Sequence, residues 1–209
     1  TKTCAVIADA RPGREPDEPL TLLGVGLSPS EGMNRSTVTN VEAATQVVRT
    51  AVGQAEAMAG CEIETTYIGI PSACTETSRS RGVVAVSGAE VTPAHVKRVQ
   101  EVGQAVPVLP GRKLIHALCQ EYSVDGRGGI QNPVGMVATR LESDMYIVTA
   151  DSTVSRDLSK VVDRSGYRPE ELVMAPLATA LAVLNDAERE AGVALIEIGG
   201  ASTDVLVYE

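Results

Sequence analysis

The chain has 209 residues, 44% hydrophobic and 22% charged, with a formal net charge of −9, enough apolar sequence to bury a core as one large domain or two small ones. Aromatic residues make up 2%, all of them Tyr, and the basic residues form no long cluster; this argues against a base-stacking platform, a phosphate-backbone footprint and hence a nucleic-acid partner. No stretch approaches the roughly 20 apolar residues of a membrane span and no secretory leader is visible, while Cys4, Cys61, Cys74 and Cys119 lack metal-ligand spacing and read as buried, reduced thiols of a cytosolic protein.

"TCAVIADA" and "LTLLGVGLS" read as two strands joined by the polar, Pro-rich "RPGREPDEP". The next segment, "TNVEAATQVVRTAVGQAEAMAG", reads as a helix. Thr39 and Glu42 form a capping box, Val41, Ala44, Val48, Ala51 and Ala55 share one face, and Gly60 stops it. The β-branched "EIETTYIGI" is a further strand, giving a ββ-α-β order: a mixed sheet with a covering helix. At Pro71 the character changes. "SACTETSRSRG" is polar and loop-like, and "VVAVS" resumes a strand. "TPAHVKRVQEVGQA" is a short helix with Thr92 at the cap and Pro93 at its first position. Its Val96, Val99 and Val102 would pack on a sheet, and Lys97, Arg98 and Glu101 share the polar side. "KLIHALCQEYSVDG" is a long strand, "GRGGIQNPVG" a turn, and "MVATRLE" and "DMYIVTA" two more strands, which completes a compact β-α-β-β insert. "DSTVSRDLSKVVDRSG" has the Asp/Ser start and Gly stop of a helix. "APLATALAVLNDAEREAG" is another capped helix with Leu177, Leu181 and Leu184 on one side, and "VALIEI", a turn and "DVLVY" close the chain.

Most familiar chemistry is missing. There is no GxxxxGK[ST] loop, and "GVG" at Gly24–Gly26 lacks the third glycine of a dinucleotide fingerprint. His95 and His116 have no Cys or carboxylate at ligand spacing, and no GxSxG elbow presents a serine nucleophile. "IEIGGASTD" leaves two readings open: a hairpin turn that needs positive φ, or a phosphate loop whose bare N–H groups approach an anion. Glu197, at the strand's end, could hold Mg²⁺ or its water while the turn holds phosphates. "TKT" at the start offers a hydroxyl and an ammonium suited to phosphate. Lys97, Arg98 and Glu101 are equally a solvated helix face or a contact surface.

Read together, "LLGVGLSPSEGMNRSTVTNVEAAT", "YIGIPSA", "VVAVSGAEVTPAHVKRV", "LIHALCQEYSVDGRGGIQNPVGMVATRLE" and "GVALIEIGGASTDVLVY" resemble the FtsA family of actin-like bacterial cell-division proteins. The "GVG…S.GM" and "QEYSVDG…GI.NPVGM…RLE" segments are specific to that family, and the resemblance runs through essentially all of the chain. It implies an α/β fold: an actin-like (ribonuclease H-like) core with an inserted β-α-β-β subdomain of the SHS2 kind. Residues 1–70 and 150–192 would be the two parts of subdomain 1A, 71–149 the inserted subdomain 1C, and 193–209 the first hairpin of subdomain 2A. "IEIGGASTD" resembles the second phosphate loop of the actin, Hsp70 and hexokinase superfamily, which implies that Glu197, Gly199, Gly200, Ala201 and Ser202 contact ATP, with Mg²⁺ near Glu197. Thr1 and Lys2 would correspond to the tail of the first phosphate loop. The sequence departs from the family pattern twice: Glu197 stands in place of Asp, and Ala201 in place of a third Gly. In actin-like folds the helix that begins here near Asp151 and Ser152 aims its N-terminus at the γ-phosphate. Neither Asp151 nor Asp157 is singled out as a base, so turnover is expected to be slow or absent.

The function implied by the resemblance is an ATP-binding scaffold rather than an enzyme, at the cytoplasmic face of the inner membrane at the division site. It would form filaments, link the FtsZ ring to the membrane, and receive later division proteins through the insert, with Lys97, Arg98 and Glu101 as contact candidates. The family's first strand would precede Thr1. Its second half, with the FtsZ-binding face and a C-terminal amphipathic membrane helix, would follow Glu209. Two alternatives belong to the same superfamily. ATP-dependent enzymes and reactivating factors lack the "QEYSVDG…NPVGM" insert, and a pilus-assembly relative has loops that match "GVGLSPSEGM" less well.

Overall fold

A computed structural model describes residues 1–9, 20–34, 37–200 and 202–208, in two compact units: Thr1–Cys74 with Thr153–Glu209, and Thr75–Ser152 between them. In the first unit β1 (Lys2–Asp9) runs antiparallel to β2 (Thr21–Pro29), with Lys2 opposite Pro29 and Val6 opposite Val25. The short β3 (Met33–Asn34) and β4 (Thr37–Val38) pair with each other. Helix α1 (Val41–Ala59) follows. Its cap is Asn40, not Thr39: the Asn40 Oδ1 accepts from the N–H groups of Glu42 (3.0 Å) and Ala43 (3.1 Å), satisfying two orphan donors at once. Gly60, in the left-handed region at φ 70°, ends the helix as expected.

The buried face of α1 is Ala44, Thr45, Val47, Ala51, Val52 and Ala55. Val41 and Val48, expected on that face, are only half-buried, because the helix is rotated to present its alanines to β2. The glycines of "GVG" permit that contact. A Cβ on Gly24 would lie 2.1 Å from the Ala55 carbonyl oxygen, and one on Gly26 1.8 Å from that of Ala51. These glycines serve backbone-to-backbone packing. Next, β5 (Thr65–Ile70) leads to a 3₁₀ turn at Ser72–Cys74.

The second unit has its own four-stranded antiparallel sheet. The segment expected as a loop is instead the first half of β6 (Thr75–Glu90). Its polar side chains line an edge strand that pairs only with its inner neighbour, so no apolar pattern marked it. Helix α2 (Pro93–Gln104) carries the expected Thr92 cap and Pro93 start. The long strand β7 (Arg112–Val124) is followed by β8 (Arg127–Ile130), a short strand inside the expected turn. There the Glu121 Oε2 accepts from the Gly129 N–H at 2.9 Å. The two strands expected at the end are one, β9 (Val137–Asp151). Its polar centre read as a break, yet Arg81 and Arg140 pair with Glu142 at 3.5 and 3.0 Å, Arg81 pairs with Asp144 at 2.8 Å, and the Ser143 hydroxyl donates to the Val99 carbonyl at 3.1 Å. The strand order is β6-β9-β7-β8. The core gathers Val84, Val86, Val91, Val99, Tyr122, Val124, Ala138 and Leu141 under α2.

Returning to the first unit, α3 (Ser152–Arg164) ends against α1: the Arg49 guanidinium donates to the carbonyls of Arg164 (2.6 Å) and Ser165 (3.4 Å), and the Ser165 hydroxyl donates to the Thr45 carbonyl at 3.1 Å. Then β10 (Arg168–Met174) pairs in parallel with β5, with Leu172 opposite Ile68. Its Arg-Pro-Glu-Glu start concealed it in the sequence. The last expected helix is two, α4 (Ala175–Val183) and α5 (Asp186–Ala191), because Asn185 restarts a helix through a capping box with Glu188, 2.9 Å in each direction. The leucine stripe is not a core stripe: Leu181 is 63% exposed, and Pro176 and Ala180 are the buried residues of α4. Strands β11 (Val193–Ile198) and β12 (Thr203–Tyr208) form the final hairpin. The cysteines depart from expectation: Cys4 and Cys61 are exposed, Cys74 and Cys119 half-buried, and all four are free. No helix among the described residues is long and apolar enough to cross a membrane.

Candidate phosphate loop and insert surface

The hairpin register places Glu197 directly opposite Asp204. Along β11, Val193, Leu195 and Glu197 are half-buried while Ala194, Ile196 and Ile198 are exposed, the alternation of a strand covered on one side. The Glu197 Oε2 accepts from the Thr179 hydroxyl of α4 at 3.0 Å. Asp204 is buried and accepts a short hydrogen bond from the Ser72 hydroxyl. Two carboxylates facing each other across a hairpin repel, and each is met by a hydroxyl from a different element.

The glycine turn does not owe its composition to φ. Neither Gly199 nor Gly200 is among the glycines with positive φ. A Cβ on Gly200 would instead lie 2.7 Å from Cγ2 and 3.0 Å from Oγ1 of Thr1. The Thr1 side chain, just before β1, therefore lies against the bare backbone of Gly200. The Gly199 N–H is already spent on the Ser202 carbonyl at 2.8 Å, which closes the turn. Among the described residues that leaves the backbone N–H groups of Gly200 and Ser202, with the Thr1 and Ser202 hydroxyls, as the turn's candidate anion donors. Lys2 is exposed at the head of β1. Ala201 lies outside the described residues. This donor set fits a phosphate chain. Among the described residues no group of three or more His, Cys, Asp or Glu could hold a metal ion; Glu197, with Asp204 opposite it, is a carboxylate at the turn that could meet a Mg²⁺ shared with phosphate oxygens and water. A polar groove of about 900 Å³ at the start of α1, lined by Ser28, Glu31, Asn40, Gln46, Arg49 and Arg164 among others, shares no residue with the hairpin.

Sequence reasoning missed Thr179, Asp204 and Ser72. Asp204 was within reach, because a four-residue turn after Ile198 fixes its partner as Glu197. Nothing in an apolar helix eighteen residues upstream marked Thr179.

The second unit carries the other candidates. Lys97 and Glu101 are exposed on α2 and form an i,i+4 pair at 4.0 Å; Arg98 is exposed beside them. Beneath them Val99 is fully buried and Val96 packs against the core, but Val102, expected there, is 45% exposed; Gly103 faces inward instead. His95 is structural: its Nδ1 accepts from the Thr92 N–H at 3.2 Å in the helix cap. Tyr122 sits in the core with its hydroxyl 2.5 Å from Gln100 Nε2, and burial, then its hydrogen bond with Cys119, push its pKa up to about 12.

Residues 73–149, nearly the whole second unit, match the family model described as the SHS2 domain inserted in FtsA. The chain is 35% identical over 192 residues to the cell division protein FtsA of Pseudomonas aeruginosa, covering 92% of this chain and 46% of that protein. It is 34% identical over 208 residues to FtsA of Neisseria meningitidis serogroup B, covering 100% and 49%. The chain belongs to the FtsA family. It spans about half the length of the curated FtsA proteins it matches. A solved structure, the PilM–PilN type IV pilus biogenesis complex, is similar in fold at a TM-score of 0.61 and 12% identity, over 99% of this chain and 55% of that one. The FtsA-family chain thus has an actin-like α/β fold that carries an SHS2 insert.

Proposed function

We propose that this chain is the phosphate-binding and partner-binding half of an actin-like cell-division scaffold. The hairpin β11–β12 holds the β- and γ-phosphates of ATP through Gly200 and Ser202, with Thr1 and Lys2 beside them and Glu197 toward Mg²⁺. The observation that carries the reading is the Thr1 side chain lying where a Gly200 Cβ would be. It joins the two stretches that resemble phosphate loops, at a turn whose base bears Glu197 and Asp204. In this reading residues 1–70 and 150–192 are subdomain 1A, 71–149 subdomain 1C, and 193–209 the opening of 2A. Bound Mg²⁺ would supply charge neutralisation for the phosphates; the chain's own contribution is to orient them. In this reading hydrolysis is slow or absent: attack by water needs a placed base, and the sequence singles out neither Asp151 nor Asp157 for that role.

The scaffold acts at the cytoplasmic face of the inner membrane at the division site. It links FtsZ to the membrane through the remainder of the protein, forms filaments, and receives later division proteins through the SHS2 unit. Named FtsA relatives along the whole chain support the division role. The test is an equilibrium titration of the full-length natural protein with ATP, with and without Mg²⁺. Saturable binding strengthened by Mg²⁺ is expected, and no binding at millimolar ATP would overturn the nucleotide reading.

A further inference from the structure

We propose that Thr179 is a positioning residue for this site: its hydroxyl fixes the reach of the longer acid, Glu197, toward the cation that accompanies the phosphates. The proposal rests on the nucleotide reading above. The resemblance drawn from the sequence implies an Asp at this position; Glu197 is one methylene longer, with one more rotatable bond to order. A longer acid at the same strand position must either fold back or be held. The structure shows it held: Oε2 accepts from Thr179 Oγ1 at 3.0 Å. A hydroxyl has a single proton to give and a carboxylate has two oxygens to receive. The contact therefore occupies one oxygen and leaves Oε1 for a cation or its water.

The opposite strand supports the assignment. Asp204, directly across from Glu197, is restrained independently by the Ser72 hydroxyl. The two acids are thereby held from different elements, α4 for one and the 3₁₀ turn for the other. Thr179 itself is half-buried on α4, behind the strand and not on the glycine turn. It acts through Glu197 and touches no phosphate.

The experiment compares Thr179→Val, which keeps the shape and removes the hydroxyl, with Thr179→Ser, which restores it, in the full-length natural protein. The quantity read is the Mg²⁺ concentration giving half-maximal strengthening of ATP binding, alongside thermal unfolding without nucleotide. Removing an outer partner of a metal-holding side chain typically costs about tenfold or more in metal affinity. The valine variant should need about tenfold more Mg²⁺, the serine variant should match the parent, and on a Glu197→Asp background the valine change should add nothing. Should the valine variant not fold, Thr179→Ala takes its place in the same comparison. Parental Mg²⁺ dependence in the valine or alanine variant would overturn the proposal while leaving the nucleotide reading intact, even if the unfolding temperature falls. So would a serine variant as impaired as valine, or a valine effect undiminished on the Asp background. A parent that binds no ATP would overturn both.

Discussion

Gly26→Ala adds a single methyl group at the tightest point between β2 and α1. The new Cβ would lie 1.8 Å from the Ala51 carbonyl oxygen and 2.9 Å from the Ala55 nitrogen, both backbone atoms of a helix. No side chain can swing aside, so helix and strand must part by roughly 1 Å or more. A gap of 0.5–1 Å already forfeits about a quarter to a half of the dispersion contact along the seam, and Ala51 and Ala55, both fully buried, lie on it. Overpacking of this kind costs about 1–3 kcal/mol, and the backbone clash puts Gly26→Ala near 3 kcal/mol. Gly53, between Ala51 and Ala55 in sequence and on the opposite, exposed face of the same helix, is the control: a Cβ there meets nothing within 4 Å. Gly53→Ala should therefore stabilise by about 0.5–1 kcal/mol, the helix-propensity difference alone. Urea unfolding of the full-length natural protein, with fitted slopes compared so that stability and compactness are separated, reads both changes. A Gly26→Ala variant within about 0.5 kcal/mol of the parent, or a Gly53→Ala variant as damaged as Gly26→Ala, would refute close backbone packing as the role of this motif.

Three further outcomes are expected. Gly200→Val should drive a branched side chain into Thr1 and weaken ATP binding by roughly tenfold to a hundredfold, a penalty of about 1–3 kcal/mol converted to affinity; unchanged affinity in the titration would remove the turn from the site. Arg98→Glu and Glu101→Arg should leave folding within about 0.5 kcal/mol of the parent, because both positions are exposed, but should weaken self-association or capture of a division partner at low salt, as rim charges do; parental sedimentation and pull-down would place that contact elsewhere. Tyr122, neutral when protonated, has a folded pKa of about 12 against 10 for the free group, so its contribution is fully present below pH 10 and is lost as pH rises from about 10 to 12. The loss is on the order of 2 kcal/mol, measured by urea unfolding across that range, and Tyr122→Phe should flatten this part of the profile.

The elements legible in sequence were those whose partners are local or whose periodicity is strong. Helix α1 announced itself by its alanine and valine spacing and by Gly60, and α2 by Thr92-Pro93. Strands were legible where one face is apolar, as in β1, β2 and β11. Pattern failed where charge is satisfied across strands. The polar half of β6 and the Glu142–Asp144 centre of β9 look like loops until Arg81 and Arg140 are seen beside them. Strand β10 was concealed for a related reason: its Arg168, Pro169 and Glu170 resemble a turn, and only parallel pairing with β5, across about a hundred residues of chain, makes them a strand. At the candidate site the glycines and Glu197 were visible, but the cause of the glycines was not. A close approach by Thr1, from the opposite end of the chain, is a tertiary fact. The hydroxyls of Thr179 and Ser72 lie beyond the reach of any local pattern for the same reason.

Amide hydrogen exchange at single-residue resolution across Ile198–Thr203, with and without Mg²⁺ and ATP, tests the phosphate loop most directly. The Gly199 N–H is already bonded to the Ser202 carbonyl at 2.8 Å, so its exchange should hardly change. Nucleotide should bring new protection to the N–H groups of Gly200 and Ser202. ATP bound to the full-length natural protein with both of those amides exchanging as before would contradict the assignment of this hairpin to the phosphates.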